Sequence, residues 1–277
     1  MIGHLYYKPG QGHQLHAMEC LAAGLQEHGV ATIISPYWDL TENVDFVVCW
    51  GDKVPANIRL PRLILEAGYI NGQSGEYVLD RLRFVSAGWN GLHGRADSGP
   101  LDCPPDRWNA LDEPILPWRA DDGEYVLICD QHPGDQCSGP RKWWKPIADD
   151  LAHFRVVYRP HPLFAPNQRP LSEALEGAGL VVTWSSTCAI RSVLDGIPTI
   201  ALDRGSMAYD VASQSIDDEV YLGPREQWAY NLAYRQFTHT ELADGIAWEV
   251  LKNGIATDNR TSERTGHDDG GETTPAG

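Results

Sequence analysis

No stretch of the 277-residue sequence comes near the ~18 consecutive apolar residues of a membrane helix, and a mean hydropathy of -0.35 suits a chain in water. The opening MIGHLYYKPGQGH carries neither a basic leader nor a long apolar segment, so no secretory signal is expected and a reducing, cytoplasmic location is. No CxxC pair occurs: Cys20, Cys49, Cys103, Cys129, Cys137 and Cys188 are scattered, which speaks against a structural zinc site, and three of them lie in apolar runs where free thiols are commonly buried. Cations are scarce, 22 Lys and Arg against 38 Asp and Glu, and the net charge of -16 repels a polyanion at long range. The sequence has no GxGxxG and no P-loop; Gly10-Gln11-Gly12-His13 follows the first apolar run but has the wrong spacing. His13 and His16 share a helix face without a carboxylate or third histidine to complete a metal site, so none is expected.

What is present is an alternation of short apolar runs and amphipathic segments. Gly3–Tyr7 reads as a strand, Leu15, Met18, Leu21, Ala22 and Leu25 mark one face of a helix ending at Gly29, and Ala31–Ile34 reads as the next strand. Asp45–Trp50 and Arg62–Glu66 add two more, which predicts a parallel sheet with ligands outside the carboxyl ends of its strands. From Gly88 to Gly123 the periodicity fades into Gly, Pro, Trp and Asp, the pattern of a linker. A second alternation opens at Tyr125–Cys129, continues through a helix over Trp143–Phe154, and ends in two helical patterns between Glu226 and Asn253 separated by the cap signal Thr238-His239-Thr240. The expected division is a first domain over 1–120, a second over 121–254 whose last helices pack back on the first, and a disordered tail over 255–277. No internal repeat stands out beyond this alternation.

Two strand ends in the second half suit a phosphate. Val156-Val157-Tyr158 leads into Arg159-Pro160-His161-Pro162, a stiff turn presenting a cation and an imidazole; the plainer reading is a surface turn. Leu180–Trp184 runs into Ser185-Ser186-Thr187, then a short helix closed by Gly196 and Pro198, then the strand Ile197–Leu202. Capping explains one hydroxyl there but not three in a row, and free N–H groups at a helix start favour an anion. In the first half, Glu66 closes an apolar strand, where it serves either as a general base or as an ordinary helix-start acid.

The ordered segments VLICDQHPGDQ, VVYRPHP, VVTWSSTCAIRSVLDGIPTIAL, MAYDVAS and WAYNLAYRQFTHTELADGIAWEVL resemble the capsule-polysaccharide and Kdo-transferase-like glycosyltransferases over about Tyr125 to Leu251, while LILEAGYI and SAGWNGLHGRAD resemble short bacteriophage proteins of that kind. The resemblance implies an α/β GT-B fold, two Rossmann-like domains with parallel sheets facing a central cleft. It implies a metal-independent sugar transfer with no bound cofactor and with a nucleotide-sugar of UDP or CMP type as donor. Carried over by motif, Arg159, His161, Ser185, Ser186 and Thr187 hold the diphosphate, Gly134, Asp135 and Gln136 line the donor side, and Tyr209 and Asp210 lie near the nucleoside or sugar. Glu66, His13 and Asp52 are the candidates for the base, in that order, and Gly12, Trp89, Asn90 and Arg95 for the acceptor side. The phage likeness favours a 5-hydroxymethylpyrimidine of DNA as acceptor, contacted by the Arg and Trp residues between Arg81 and Trp144. A bacterial glycan is the competing acceptor, and an epimerase or a non-catalytic nucleotide-sugar-binding module the competing activity; oligomeric state is left open.

Overall fold

Apolar runs bounded by glycine or polar residues form the strands, and the strands sort into two sheets. The structure, a computed structural model, describes residues 1–40, 43–70, 83–97, 99–119, 123–131 and 136–254. The 255–277 tail, Gly134, Asp135 and Arg81 lie outside the described residues.

The first sheet begins with β1 (Ile2–Tyr6), followed by helix α1 (Gly12–Glu27), β2 (Ala31–Ser35), β3 (Phe46–Trp50), β4 (Arg62–Ala67) and β5 (Val85–Trp89). β1 pairs in parallel with β2 and β3, β3 with β4, and β5 turns antiparallel to β4. Helix α2 (Asp106–Leu111) leads to the second sheet, built from β6 (Tyr125–Cys129), α3 (Trp144–Asp150), β7 (Val156–Arg159), α4 (Leu171–Glu176), β8 (Ala178–Thr183), α5 (Cys188–Leu194) and β9 (Thr199–Ala201). Its order is β7-β6-β8-β9, all parallel. The chain then runs through α6 (Glu226–Ala233) to β10 (Gln236–Phe237), α7 (His239–Ala243) and α8 (Ile246–Leu251). β10 pairs antiparallel with β5, so the first sheet reads β10-β5-β4-β3-β1-β2.

Two expectations need correcting. The stretch from Gly88 onward is not all linker: Gly88 and Trp89 finish β5, and α2 lies farther on. The helical pattern WAYNLAYRQFT stops at Ala233, because Phe237 is fully buried in the first sheet and the Gln236 carboxamide accepts the N–H groups of Tyr69 at 2.8 Å and Ile70 at 2.9 Å. Backbone pairing with β5 outcompetes the local helical preference.

One face of the first sheet buries Leu5, Phe46, Val48, Trp50, Leu63, Leu65, Val85 and Trp89 against Met18, Leu21 and Leu25 of α1 and Trp248 and Leu251 of α8. α1 approaches α7 so closely at Gly24 that a methyl group there would overlap the Leu242 carbonyl oxygen. The second sheet buries Val126, Ile128 and Val182 with Trp143 and Leu151 on one side, and Leu127, Val181 and Ile197 with Leu175 on the other.

Arg107 of α2 ties the returning chain to the body. Its guanidinium donates to the Ala233 carbonyl at 3.1 Å, the Gln236 carbonyl at 2.9 Å and the Glu241 carboxylate at 2.5 Å, and it lies over the rings of Tyr234 and Phe237. Glu241 also closes a capping box with Thr238 at the start of α7. Burial alone would raise the Glu241 carboxyl, but the Arg107 guanidinium and the Thr238 N–H and hydroxyl outweigh it and hold the group below its usual range.

Replacing Arg107 by methionine leaves the Glu241 charge and two carbonyls without their donor. Side-chain exposures of 17% and 22% place the pair short of full burial, so a loss of about 2–4 kcal/mol is expected in urea unfolding, below the ~3–5 of a fully buried pair. Because the folded Glu241 value is depressed, its contribution is complete above the ordinary glutamate value of about 4.3 and fades as pH falls through the folded value. Glu241→Gln is therefore expected to flatten the acid limb of the stability curve; an unaltered slope below that pH would show that the pairing carries no linkage.

Candidate active site at the carboxyl ends of the two sheets

In each sheet the chain leaves a central strand first to one side and then to the other, which creates a crevice at the carboxyl ends of β1 and β3 in one sheet and of β6 and β8 in the other. At the second crevice Cys129 stands in register with Arg159 on one neighbour and Thr183 on the other. Arg159 is half-buried and donates to the Arg169 carbonyl at 2.7 Å. His161 accepts the Leu163 N–H at 3.3 Å on the turn beyond Arg159.

The three hydroxyls after β8 divide their roles. Ser185 is 3% exposed; its hydroxyl donates to the Cys137 carbonyl at 2.5 Å and its N–H to the Gln131 side chain at 2.9 Å. It is a buried clamp rather than a ligand contact. Ser186 directs its hydroxyl to the Cys188 N–H at 3.3 Å, and its own N–H goes to the Thr183 hydroxyl at 3.2 Å. Only Thr187 is exposed. The expectation of free N–H groups at this helix start is thus corrected: the N–H groups of Ser185, Ser186 and Cys188 are satisfied by nearby side chains. Gln136 and Asp210 are exposed; Tyr209 is half-buried in a short helical turn that follows Met207, whose carbonyl accepts the Trp228 indole N–H at 2.7 Å.

At the first crevice the structure gathers all three base candidates. The His13 ring meets Trp50 edge-on at 5.0 Å, the Glu66 carboxylate lies beside Gly51, and Asp52 follows directly. Asp52 pairs with Arg62 at 3.3 Å, so its carboxylate is engaged in an ion pair. Glu66 accepts the Ala67 N–H at 3.0 Å and stays half-buried. Exposed Gly12 opens the helix that carries His13.

The other acceptor-side candidates hold the fold. Trp89 is 4% exposed, packs on Phe46 and Trp248, and donates its indole N–H to the Leu251 carbonyl at 2.7 Å. Asn90 accepts the Arg62 N–H at 3.0 Å and donates to Asp97 at 2.7 Å. Arg95 bonds both carboxylate oxygens of Asp203 beyond β9, at 2.8 and 2.9 Å. It joins the two halves of the chain rather than reaching toward a ligand.

Three residues of the site escaped the sequence. Asp130 accepts the Tyr158 hydroxyl at 2.6 Å and the Trp143 indole N–H at 3.0 Å, fixing the exit of β6. Gln131 locks that exit to Ser185. Tyr69 lies close to Glu66, Ser86 and Cys137, and burial, partly offset by Arg235 and a hydrogen bond with Ser86, pushes its phenol up to about 12. Cys137 packs with Cys49, Ile64 and Leu92, so the loop after β6 touches both crevices. The only signal was a polar Asp-Gln pair directly after an apolar run.

No protein-family model matches this chain, and no curated protein does. Among solved structures its mixed α/β architecture is similar in fold to two structures of one bacterial protein. KpsC of Thermosulfurimonas dismutans, beta Kdo 2,7 transferase, aligns over 90% of this chain and 99% of that one with a TM-score of 0.55 and 11% identity. The beta Kdo 2,4 transferase structure of KpsC from the same organism aligns over 84% and 91%, with a TM-score of 0.54 and 15% identity. At such identities the likeness is one of fold alone. No helix among the described residues is long and apolar enough to cross a membrane.

Gln131→Ala is expected to cost about 1–3 kcal/mol in urea unfolding, because it strands the buried Ser185 N–H. A change within error of zero would mean that this clamp does not hold the loops.

Proposed function

We propose that the chain is a glycosyltransferase of two facing Rossmann-like halves, taking a nucleotide-sugar at the carboxyl end of the second sheet and an acceptor hydroxyl at the carboxyl end of the first. The observation that carries this reading is Arg159. It ends β7 in register with Cys129 at the carboxyl edge of the second sheet, in a fold similar to that of two Kdo transferase structures. In such a reaction the acceptor oxygen attacks the anomeric carbon, a base takes its proton, and the phosphate leaves with the bonding electrons. Arg159 and His161 supply positive charge for the leaving phosphate. Glu66 is the preferred base, since its carboxylate is half-buried beside Gly51 while Asp52 is committed to Arg62.

The acceptor is better read as a glycan than as a DNA base. Several of the arginines and tryptophans on which the DNA expectation rested are engaged by the protein itself: Arg95 on Asp203, Arg107 on Glu241, Arg119 on the carbonyls of Leu175, Glu176 and Ala178, and Trp89, Trp108 and Trp143 in the core. Arg141, Lys142 and Lys145 remain exposed, a small patch against a net charge of -16.

Thermal stabilisation by one member of a panel of UDP, GDP, CMP and ADP compounds is the first expected outcome; stabilisation by none overturns the reading. Arg159→Ala should weaken that nucleotide by roughly ten- to a hundredfold, the loss of a charge-assisted hydrogen bond. Glu66→Gln should lower turnover with donor affinity unaltered, and unimpaired turnover moves the base to His13. Mass analysis of an oligosaccharide acceptor and of hydroxymethylated DNA, each incubated with the stabilising sugar nucleotide, decides the acceptor.

A further inference from the structure

At the edge where β10 joins the first sheet, one strand outruns the other. β10 pairs only with Ser86 and Val85, and the Arg235 carbonyl accepts the Ala87 N–H at 3.0 Å. Gly88 and Trp89 continue past it, with no further strand on that side among the described residues. The space that a longer β10 would fill is a cavity of about 270 Å³, bounded by residues of the loop from His93 to Pro100 and by the end of α8. Ala87, Trp89, Val250 and Leu251 make much of its wall apolar, and the indole bond from Trp89 to the Leu251 carbonyl holds that wall in place.

The cavity also carries charges of both signs. Arg235 lines it half-buried, and among the described residues its guanidinium meets neither a carboxylate nor a carbonyl acceptor. Every other buried or half-buried arginine among them, Arg62, Arg107, Arg119, Arg159, Arg191 and Arg225, donates to one or the other. Gly99 packs directly on the Arg235 guanidinium: a methyl group there would come to 2.6 Å from Nε. Two residues earlier, Asp97 lines the same cavity. Its N–H donates to the Trp89 carbonyl at 2.8 Å and its Oδ2 accepts the Asn90 amide at 2.7 Å, which fixes the carboxylate without neutralising it. A half-buried cation without an acceptor is costly unless something else supplies one.

We propose that this cavity binds an α-amino acid with an apolar side chain, its carboxylate on Arg235, its ammonium on Asp97 and its side chain against Trp89, Val250 and Leu251. Opposite charges that line one cavity yet do not pair leave room between them for a molecule carrying both. The guanidinium fork suits the two oxygens of a carboxylate, and Oδ1 of Asp97 is left over from the Asn90 bond. Size sets the upper limit: pockets for drug-sized ligands run to about 300–1,000 Å³, so this one takes a single small molecule and not a nucleotide-sugar. The proposal is therefore independent of the transferase reading.

Calorimetric titration of the full chain with L-leucine, L-methionine and L-phenylalanine is expected to show millimolar or tighter binding of at least one. The analogue of that amino acid lacking the amino group, and the one lacking the carboxylate, should each bind about tenfold more weakly or worse. Arg235→Met should weaken the amino acid by roughly ten- to a hundredfold and leave the urea midpoint unaltered, since the guanidinium holds no other part of the chain. Gly99→Ala, whose methyl meets the flexible end of Arg235, should weaken it too, and it decides the matter if Arg235→Met misfolds. Asp97→Asn keeps an acceptor for the Asn90 amide while removing the charge, and should weaken the amino acid but not its analogue without the amino group. Binding of none of the three amino acids overturns the proposal. Equal affinity for the amino acid and its analogue without the amino group overturns the pairing with Asp97, and unaltered affinity in the Arg235 and Gly99 variants overturns the placement in this cavity.

Discussion

Arg107 is the joint on which this architecture turns. A single guanidinium collects the end of α6, the backbone of β10 and the capping carboxylate of α7, and the aromatic rings of Tyr234 and Phe237 exclude water around it. Without that anchor the segment from β10 to α8 would be held to the first sheet by its pairing with β5, the Gln236 bonds, the Trp89–Leu251 bond and packing on α1. An arginine suits the position because its planar fork reaches three acceptors at once, which an ammonium on a flexible stem would not do.

Short polar links join the two crevices, beside a buried apolar cluster in which Ile70 and Trp108 meet Ile190, Leu194 and Met207. Gln131 and Ser185 hold the exits of β6 and β8 together, and Ser185 in turn holds the Cys137 carbonyl. Cys137 packs against Cys49 and Ile64 beneath the residues that carry the base candidates. Arg95 and Asp203 make a second crossing. The Gln131 and Ser185 bonds are buried and have defined geometry, so displacement of the loop after β6 is felt at the first sheet through a few named atoms.

Strands with an apolar run and a polar or glycine stop were legible in the sequence, and eight of the ten strands among the described residues are of that kind. The remaining two were not. β5 reads Val-Ser-Ala-Gly-Trp, too poor in β-branched residues to announce itself, and β10 has only Gln236 and Phe237 inside a helical pattern. Both depend on partners remote in sequence. The site divides the same way. Strand ends carrying Glu66, Arg159 and the Ser-Ser-Thr turn could be found because they follow from topology. Which way Ser185 or Trp89 points could not, since inward and outward serines look alike in one dimension, and Trp89 stands beside glycines that suggest a loop. Asp130 and Gln131 were visible as a polar pair, but their role depends on Tyr158, Trp143 and Ser185, each far along the chain.

The return of the chain to its first sheet also sets an order of events during synthesis. The second sheet draws all four strands from a continuous stretch between Tyr125 and Ala201 and has its partners as soon as that stretch has left the ribosome. The first sheet was translated earlier, yet the face covered by α7 and α8 and the edge completed by β10 stay open until Leu251 emerges. The amino-terminal half therefore waits for the carboxyl-terminal one, the reverse of the usual sequence in which the first-made unit folds first. During that interval Phe46, Trp89 and the α1 groove are the surfaces a nascent chain must keep from wrong partners.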